Sequence, residues 1–197
     1  MISRKKLSLV FLGILFLSLL MVAQFDDDKE VAQFAIFKSY DRIHPGMELR
    51  IAVKVTIKVF WHINSNHPSQ DYMIGTKVTI PQEEPFELKD VVYPEPSEIR
   101  FGFSESALSV YQGVIFIFGI IPVPADLGLG KHTIPFHINY QACNDATCLP
   151  PQMIKKQISV VVVDVQTPIE KVNADIFEKL GKKNTSMTKP KIFSQLN

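Results

Sequence analysis

Only two cysteines occur in this 197-residue chain, Cys143 and Cys148. A single pair excludes a disulfide-dense scaffold, in which several bridges stand in for a core. No C-x-x-C spacing occurs, so the thioredoxin-like redox motif is missing. Net charge is equally scarce. The chain has 21 basic and 20 acidic residues; setting aside Arg4, Lys5 and Lys6 leaves 18 against 20, a formal charge of −2. That balance offers no footprint for nucleic acid and no polybasic patch for anionic lipid. No glycine-rich phosphate loop and no serine–histidine–acid arrangement can be read. Internal repeats and low-complexity tracts are absent as well.

What is present begins with the compartment. "MISRKK" is a basic n-region, Leu7 to Val22 is an uncharged apolar run, and Ala23 is a small residue for cleavage. This is the pattern of a signal peptide over residues 1–23. The run is 16 residues long and Met21 stands two before Ala23, which leaves an uncleaved N-terminal anchor as the other reading. No cysteine follows the run, so lipid attachment there is excluded. Either way the remainder is exported, to the periplasm or another extracytoplasmic space, where disulfides persist. The 174 residues after Ala23 suffice for one domain with a real core.

Residues 24–32, with "FDDDKE", read as a solvated spacer. From there the pattern is β. In "MELRIAVKVTIKVF", 47–60, Ile51, Val53, Val55, Ile57 and Val59 alternate with Arg50, Lys54, Thr56 and Lys58, the period of a half-buried strand. Residues 73–81, 86–94, 108–122, 131–141 and 153–165 are further strand candidates, rich in Val, Ile, Phe and Tyr. Residues 107–125 carry no charge, but Gln112, Gly113, Gly119, Pro122 and Pro124 interrupt them. They read as a buried strand pair or one long strand rather than a membrane span. Strands without helical periods between them predict an all-β, immunoglobulin-like antiparallel sandwich over 33–165. A helix is expected over 166–181. Thr167-Pro168-Ile169-Glu170 is a capping box, Ile169, Val172, Ile176 and Leu180 form a stripe, and Gly181 suits the C-cap. Residues 182–197 read as a flexible tail.

The pair in "YQACNDATCLPP", 140–151, is either a strut or a reagent. As a strut it is weak. A loop of about six residues yields only ~2.2 kcal/mol of chain-entropy stabilisation, against ~4.7 for a 100-residue loop. A sandwich staple ordinarily joins strands distant in sequence. Asn144 and Asp145 form turns, and Pro150 and Pro151 stiffen the exit. Pro135 suggests an edge strand. If Ile134, Phe136, Ile138 and Tyr140 face the core, continued alternation puts Cys143 on the opposite face. A short-loop disulfide at an accessible edge is readily opened and reformed.

"YQACNDATCLPP", followed by "MIKKQISVVVV" and preceded by "FWHINSNHP" (60–68) and "KVTIP" (77–81), resembles the N-terminal domain of the DsbD thiol:disulfide interchange family. The resemblance spans roughly residues 33–165. It implies an immunoglobulin-like sandwich with a redox-active dithiol. Cys148 would attack a partner's disulfide and Cys143 would resolve the intermediate. The cap loop implied by the family falls on "EIRFGFSESALSVY", 98–111, with Phe103, or else Phe101, covering the disulfide. Implied acceptors are exported thioredoxin-fold proteins, a disulfide isomerase or a cytochrome c maturation factor. The spacing here is four residues, where well-known members have five. Neither a later apolar span nor a C-x-x-C follows, so a separately encoded membrane reductase is expected to supply the electrons.

The other class of function is a non-catalytic immunoglobulin-like binding module with a structural disulfide. His62 and His67, with Met73 nearby, form no recognised ligand set; no metal and no cofactor is expected. A packing role is expected for Trp61 and His62. Asp145 reads as a turn residue and Glu105 as part of the cap loop.

Overall fold

The structure is a computed structural model and describes residues 30–178. The basic and apolar N-terminal segment, most of the spacer, Leu180, Gly181 and the tail lie outside the described residues. Among the described residues, those from Ala32 onward form one compact unit. In chain order its strands are β1 (Ala32–Lys38), β2 (Arg42–Ile43), β3 (Glu48–Ile57), β4 (His62–Asn64), β5 (Lys77–Thr79), β6 (Lys89–Val92), β7 (Ser97–Ile99), β8 (Leu108–Tyr111), β9 (Val114–Pro122), β10 (Gly130–Tyr140), β11 (Ala142–Cys143) and β12 (Gln152–Val162). They form three four-stranded sheets, ordered β1-β3-β9-β6, β2-β12-β10-β5 and β11-β4-β8-β7. Pairing is antiparallel throughout except for the short parallel contact of β12 with β2. This is the all-β, immunoglobulin-like architecture that the strand pattern predicts. No helix among the described residues is long and apolar enough to cross a membrane.

The core follows from period two. Leu49, Ile51, Val53, Val55 and Ile57 of β3 are buried, as are Ile134, Phe136, Ile138 and Tyr140 of β10. Each such side chain is worth roughly 1.5–3 kcal/mol when fully buried. Phe34 of β1 meets Tyr140 with ring centroids 5.1 Å apart, joining the first two sheets.

Three expectations change and one open alternative is decided. β3 stops at Ile57, so Val59 does not extend the buried face; it is 73% exposed, in a turn closed by the Trp61 N–H on the Lys58 carbonyl. Residues 108–122 are a pair, not one strand. β8 belongs to the third sheet and β9 to the first. Between them Gly113 takes a φ of 68°, a conformation open to glycine, while its carbonyl accepts the Ile57 N–H. β10 is not an edge strand, but β5 covers only His137–Asn139 of it. Pro135, with no N–H to offer, lies beyond that cover.

The helix is the third changed expectation. Residues 168–173 are not helical, and helix appears only over 174–178. The capping box loses to tertiary hydrogen bonds. Glu170 exchanges bonds with Asp41, the Val172 N–H donates to the Ser39 carbonyl, and Asn173 Nδ2 donates to the Lys38 carbonyl. These bonds hold the segment beside the β1–β2 link, and the Asn173 carbonyl then receives the Ile176 and Phe177 N–H groups. Phe177 meets Phe118 on β9 at 6.5 Å.

Candidate functional site

β10 ends at Tyr140 because the chain changes sheets. After Gln141, β11 pairs with β4, setting Ala142 opposite Ile63 and Cys143 opposite His62. Alternation along β10 therefore does not carry through to the cysteine. Both Ala142 and Cys143 are buried, and Cys143 is 0% exposed rather than on an outer face.

The turn that follows is built by Asn144. Its Oδ1 accepts the Ala146 and Thr147 N–H groups, each at 2.9 Å, while its own N–H donates to the Thr147 carbonyl. That is an Asx-type turn, the use to which asparagine is suited. The Leu149 N–H then donates to the Ala142 carbonyl at 2.8 Å. Cys148 is thereby set directly opposite Cys143 in an antiparallel bridge. The two are joined by a disulfide, with Cα atoms 4.0 Å apart. Strand β11 ends the order of its sheet, so the bridge lies at a sheet edge. Cys148 is half-buried, in contrast to Cys143.

Gln141 locks this hairpin to its surroundings, a role its place in the sequence did not disclose. Its Nε2 donates to the Leu149 carbonyl at 3.2 Å, and its Oε1 accepts from Asn64 Nδ2 and from the Ile74 N–H, both at 3.2 Å. One carboxamide thus ties the cysteine turn to β4 and to the 66–76 loop. Net contributions of about 1 kcal/mol per bond predict that Gln141→Ala lowers unfolding free energy by roughly 2–3 kcal/mol. Urea denaturation checks this, and an unchanged midpoint would contradict it.

The aromatic side comes from the 98–111 loop. Phe101 is buried with Met73, Leu108 and Val110, and its ring stacks on His62 at 4.0 Å. Phe103 stacks on Phe101 at 5.6 Å and stays 42% exposed. The structure therefore brings Phe101 to the cross-strand neighbour of Cys143, and Phe103 joins through Phe101. His62 is 4% exposed and its Nε2 has no hydrogen-bond partner. Burial pushes its imidazole down to about 4, against the opposing pull of the Asp145 carboxylate in the cysteine turn. Sequence reading gave His62 a packing role only. Its placement beside the cysteine comes from a strand pairing that spans about 80 residues of chain.

Two of the other histidines bond elsewhere. His44 Nε2 meets the Thr167 carbonyl and His132 Nε2 the Gly128 carbonyl. Among the described residues no group of three or more His, Cys, Asp or Glu is placed to hold a metal ion.

No protein-family model matches the chain, and no curated protein does. Among solved structures, the N-terminal periplasmic domain of ScsB from Proteus mirabilis matches with a TM-score of 0.50 at 14% identity, over 82% of this chain. The match spans 56% of that structure; the chain thus accounts for little more than half of it. The fold is shared. The reduced N-terminal domain of Neisseria meningitidis DsbD matches at a TM-score of 0.39 and 13% identity, over 70% of this chain and 90% of that one. The fimbrial subunit AggA from Escherichia coli matches at 0.32 and 13%, over 68% and 97%. The last two likenesses are too loose to support a conclusion. Fold and site together define a class: an immunoglobulin-like β-domain with one vicinal-strand disulfide at a sheet edge.

Proposed function

We propose that this is an extracytoplasmic thiol–disulfide exchange domain in which the Cys143–Cys148 pair is the working group. The observation that carries the reading is the asymmetric pair: two opposed cysteines across a four-residue turn, one half-buried and one fully buried. Such a bond restrains little chain. It does present one sulfur to a partner and keep the other in reserve.

In the reduced form the Cys148 thiolate attacks a sulfur of the partner's disulfide. That bond breaks, and one partner sulfur leaves as a thiolate. Cys143 then attacks Cys148 Sγ, the mixed disulfide breaks, and the second partner thiolate leaves. Two electrons pass to the partner and the Cys143–Cys148 bond reforms. Phe101 and Phe103 shield the pair against small thiols. The acceptors are exported thioredoxin-fold proteins, of the disulfide-isomerase or cytochrome c maturation kind. A membrane reductase supplies the electron pair. The periplasmic setting named for the ScsB domain supports the same compartment here, as does the basic-then-apolar pattern of residues 1–23.

Equilibration with glutathione buffers, followed by counting of alkylatable thiols, tests the reading. The expected potential lies above about −300 mV, the range of labile, exchangeable bonds. A bond that stays closed below about −300 mV would sink it and leave a structural disulfide in a binding module.

A further inference from the structure

Cys148, Cys143 and His62 form a row. Cys148 is opposite Cys143, and Cys143 is opposite His62, both in antiparallel register. Directly opposed residues of an antiparallel pair project from the same face, with Cβ atoms about 4.5–5.5 Å apart. The imidazole therefore stands next to the Cys143 side chain, on the side away from Cys148. Phe101 covers one face of the imidazole ring. An unpartnered polar nitrogen in so buried a place is costly. Here it is Nε2 of His62, on the residue directly opposite Cys143, whose sulfur in the oxidised form has no proton to give.

We propose that His62 is a catalytic residue of the exchange reaction, the general base of ring closure: its Nε2 accepts a hydrogen bond from the Cys143 thiol formed on reduction, and receives that proton as Cys143 closes on Cys148. The inference rests on the exchange reading above. In the closing step the Cys143 Sγ–H bond breaks toward His62 Nε2 while Cys143 Sγ bonds to Cys148 Sγ. The bond from Cys148 Sγ to the partner's sulfur breaks, and its electron pair leaves on the partner thiolate. The imidazolium then gives its proton to solvent, and the departing thiolate takes one up from solvent, so proton and charge balance. Burial disfavours the imidazolium, so the nitrogen is bare again for the next cycle. Asp145 is the charged group that acts on the ring, and it steadies the cation during its short life. The nitrogen left idle in the oxidised protein thus has work in the reduced one. That work also suits a resolving cysteine with no exposed surface, whose proton has no direct path to water.

The test uses the full exported chain, reduced and mixed with 5,5′-dithiobis(2-nitrobenzoate). A first thionitrobenzoate is released when Cys148 forms the mixed disulfide, and a second when Cys143 closes the ring. His62→Phe keeps an aromatic ring against Phe101 and removes the acceptor. It is expected to leave the first phase unchanged and to slow the second on the order of 100-fold near neutral pH. Its second phase should also fall about tenfold per pH unit below the ordinary thiol range near 8.5, whereas the wild-type rate holds up. His62→Gln keeps an acceptor that cannot carry the proton. It should show the same steep pH profile with a smaller loss, and it serves alone if His62→Phe does not fold. A second phase with wild-type rate and pH profile in the folded variants would overturn the role of His62, as would equal slowing of both phases. If the wild-type pair neither reduces nor forms the mixed disulfide, the exchange reading itself fails.

Discussion

In the reduced protein, iodoacetamide is expected to modify Cys148 about a hundredfold faster than Cys143. Both are thiols within one turn, so intrinsic chemistry separates them little. Access separates them. Cys148 is half-buried on the outgoing arm of the turn, whereas Cys143 is 0% exposed within β11 and paired to β4. To reach a reagent, Cys143 must wait for β11 to part from β4. An opening that costs about 3 kcal/mol, well within the range of local unfolding, reduces its rate about a hundredfold. Peptide mapping after timed alkylation reads the ratio. The same asymmetry predicts the outcome of single substitutions. On the proposed roles, Cys143→Ala should accumulate a stable mixed disulfide with an exported thioredoxin-fold protein, because the sulfur proposed to attack is intact and the one proposed to resolve is gone. Cys148→Ala should trap little. Adducts formed only through Cys143 in the reverse variant would invert the assigned roles.

Phe101→Ala is expected to lower unfolding free energy by about 3–5 kcal/mol, and Phe103→Ala by less than about 1 kcal/mol. The residues are two apart and of one type; their surroundings differ. Phe101 packs among Met73, Leu108 and Val110 and stacks on His62, so truncation leaves a void beneath the site. Phe103 stacks only on Phe101 and remains 42% exposed. Losing the Phe101 ring also admits water to His62, whose imidazole should then titrate nearer its ordinary value of 6.5. Urea denaturation gives the first quantity and histidine proton resonances the second. Equal losses in the two variants, or a larger one for Phe103→Ala, would contradict this division. The aromatic that reaches the cysteine's neighbour is Phe101, and Phe103 is the outer layer.

The parts of this protein that are local in sequence were legible there. Period-two alternation in 47–60 and 131–141 marks half-buried strands, because a strand's two faces are set by the backbone alone. Asn144 and the paired prolines mark the turn, because an asparagine side chain reaches its own backbone two and three residues on. The six-residue loop shows from spacing that the disulfide is a poor staple. The helix was misplaced for the opposite reason. A capping box is worth about 1 kcal/mol, less than the several bonds that Asp41, Ser39 and Lys38 make to residues 170–173.

By itself, then, the amino-acid sequence determined an all-β domain with its one cysteine pair closed over a short turn. Only the tertiary structure decided which sulfur is sheltered, which phenylalanine stacks on His62 and which residue pairs with Cys143. Those choices depend on β11 leaving the β10 sheet to pair with β4. Such pairing joins residues some 80 apart in the chain, and the side-chain pattern of either strand does not encode its partner.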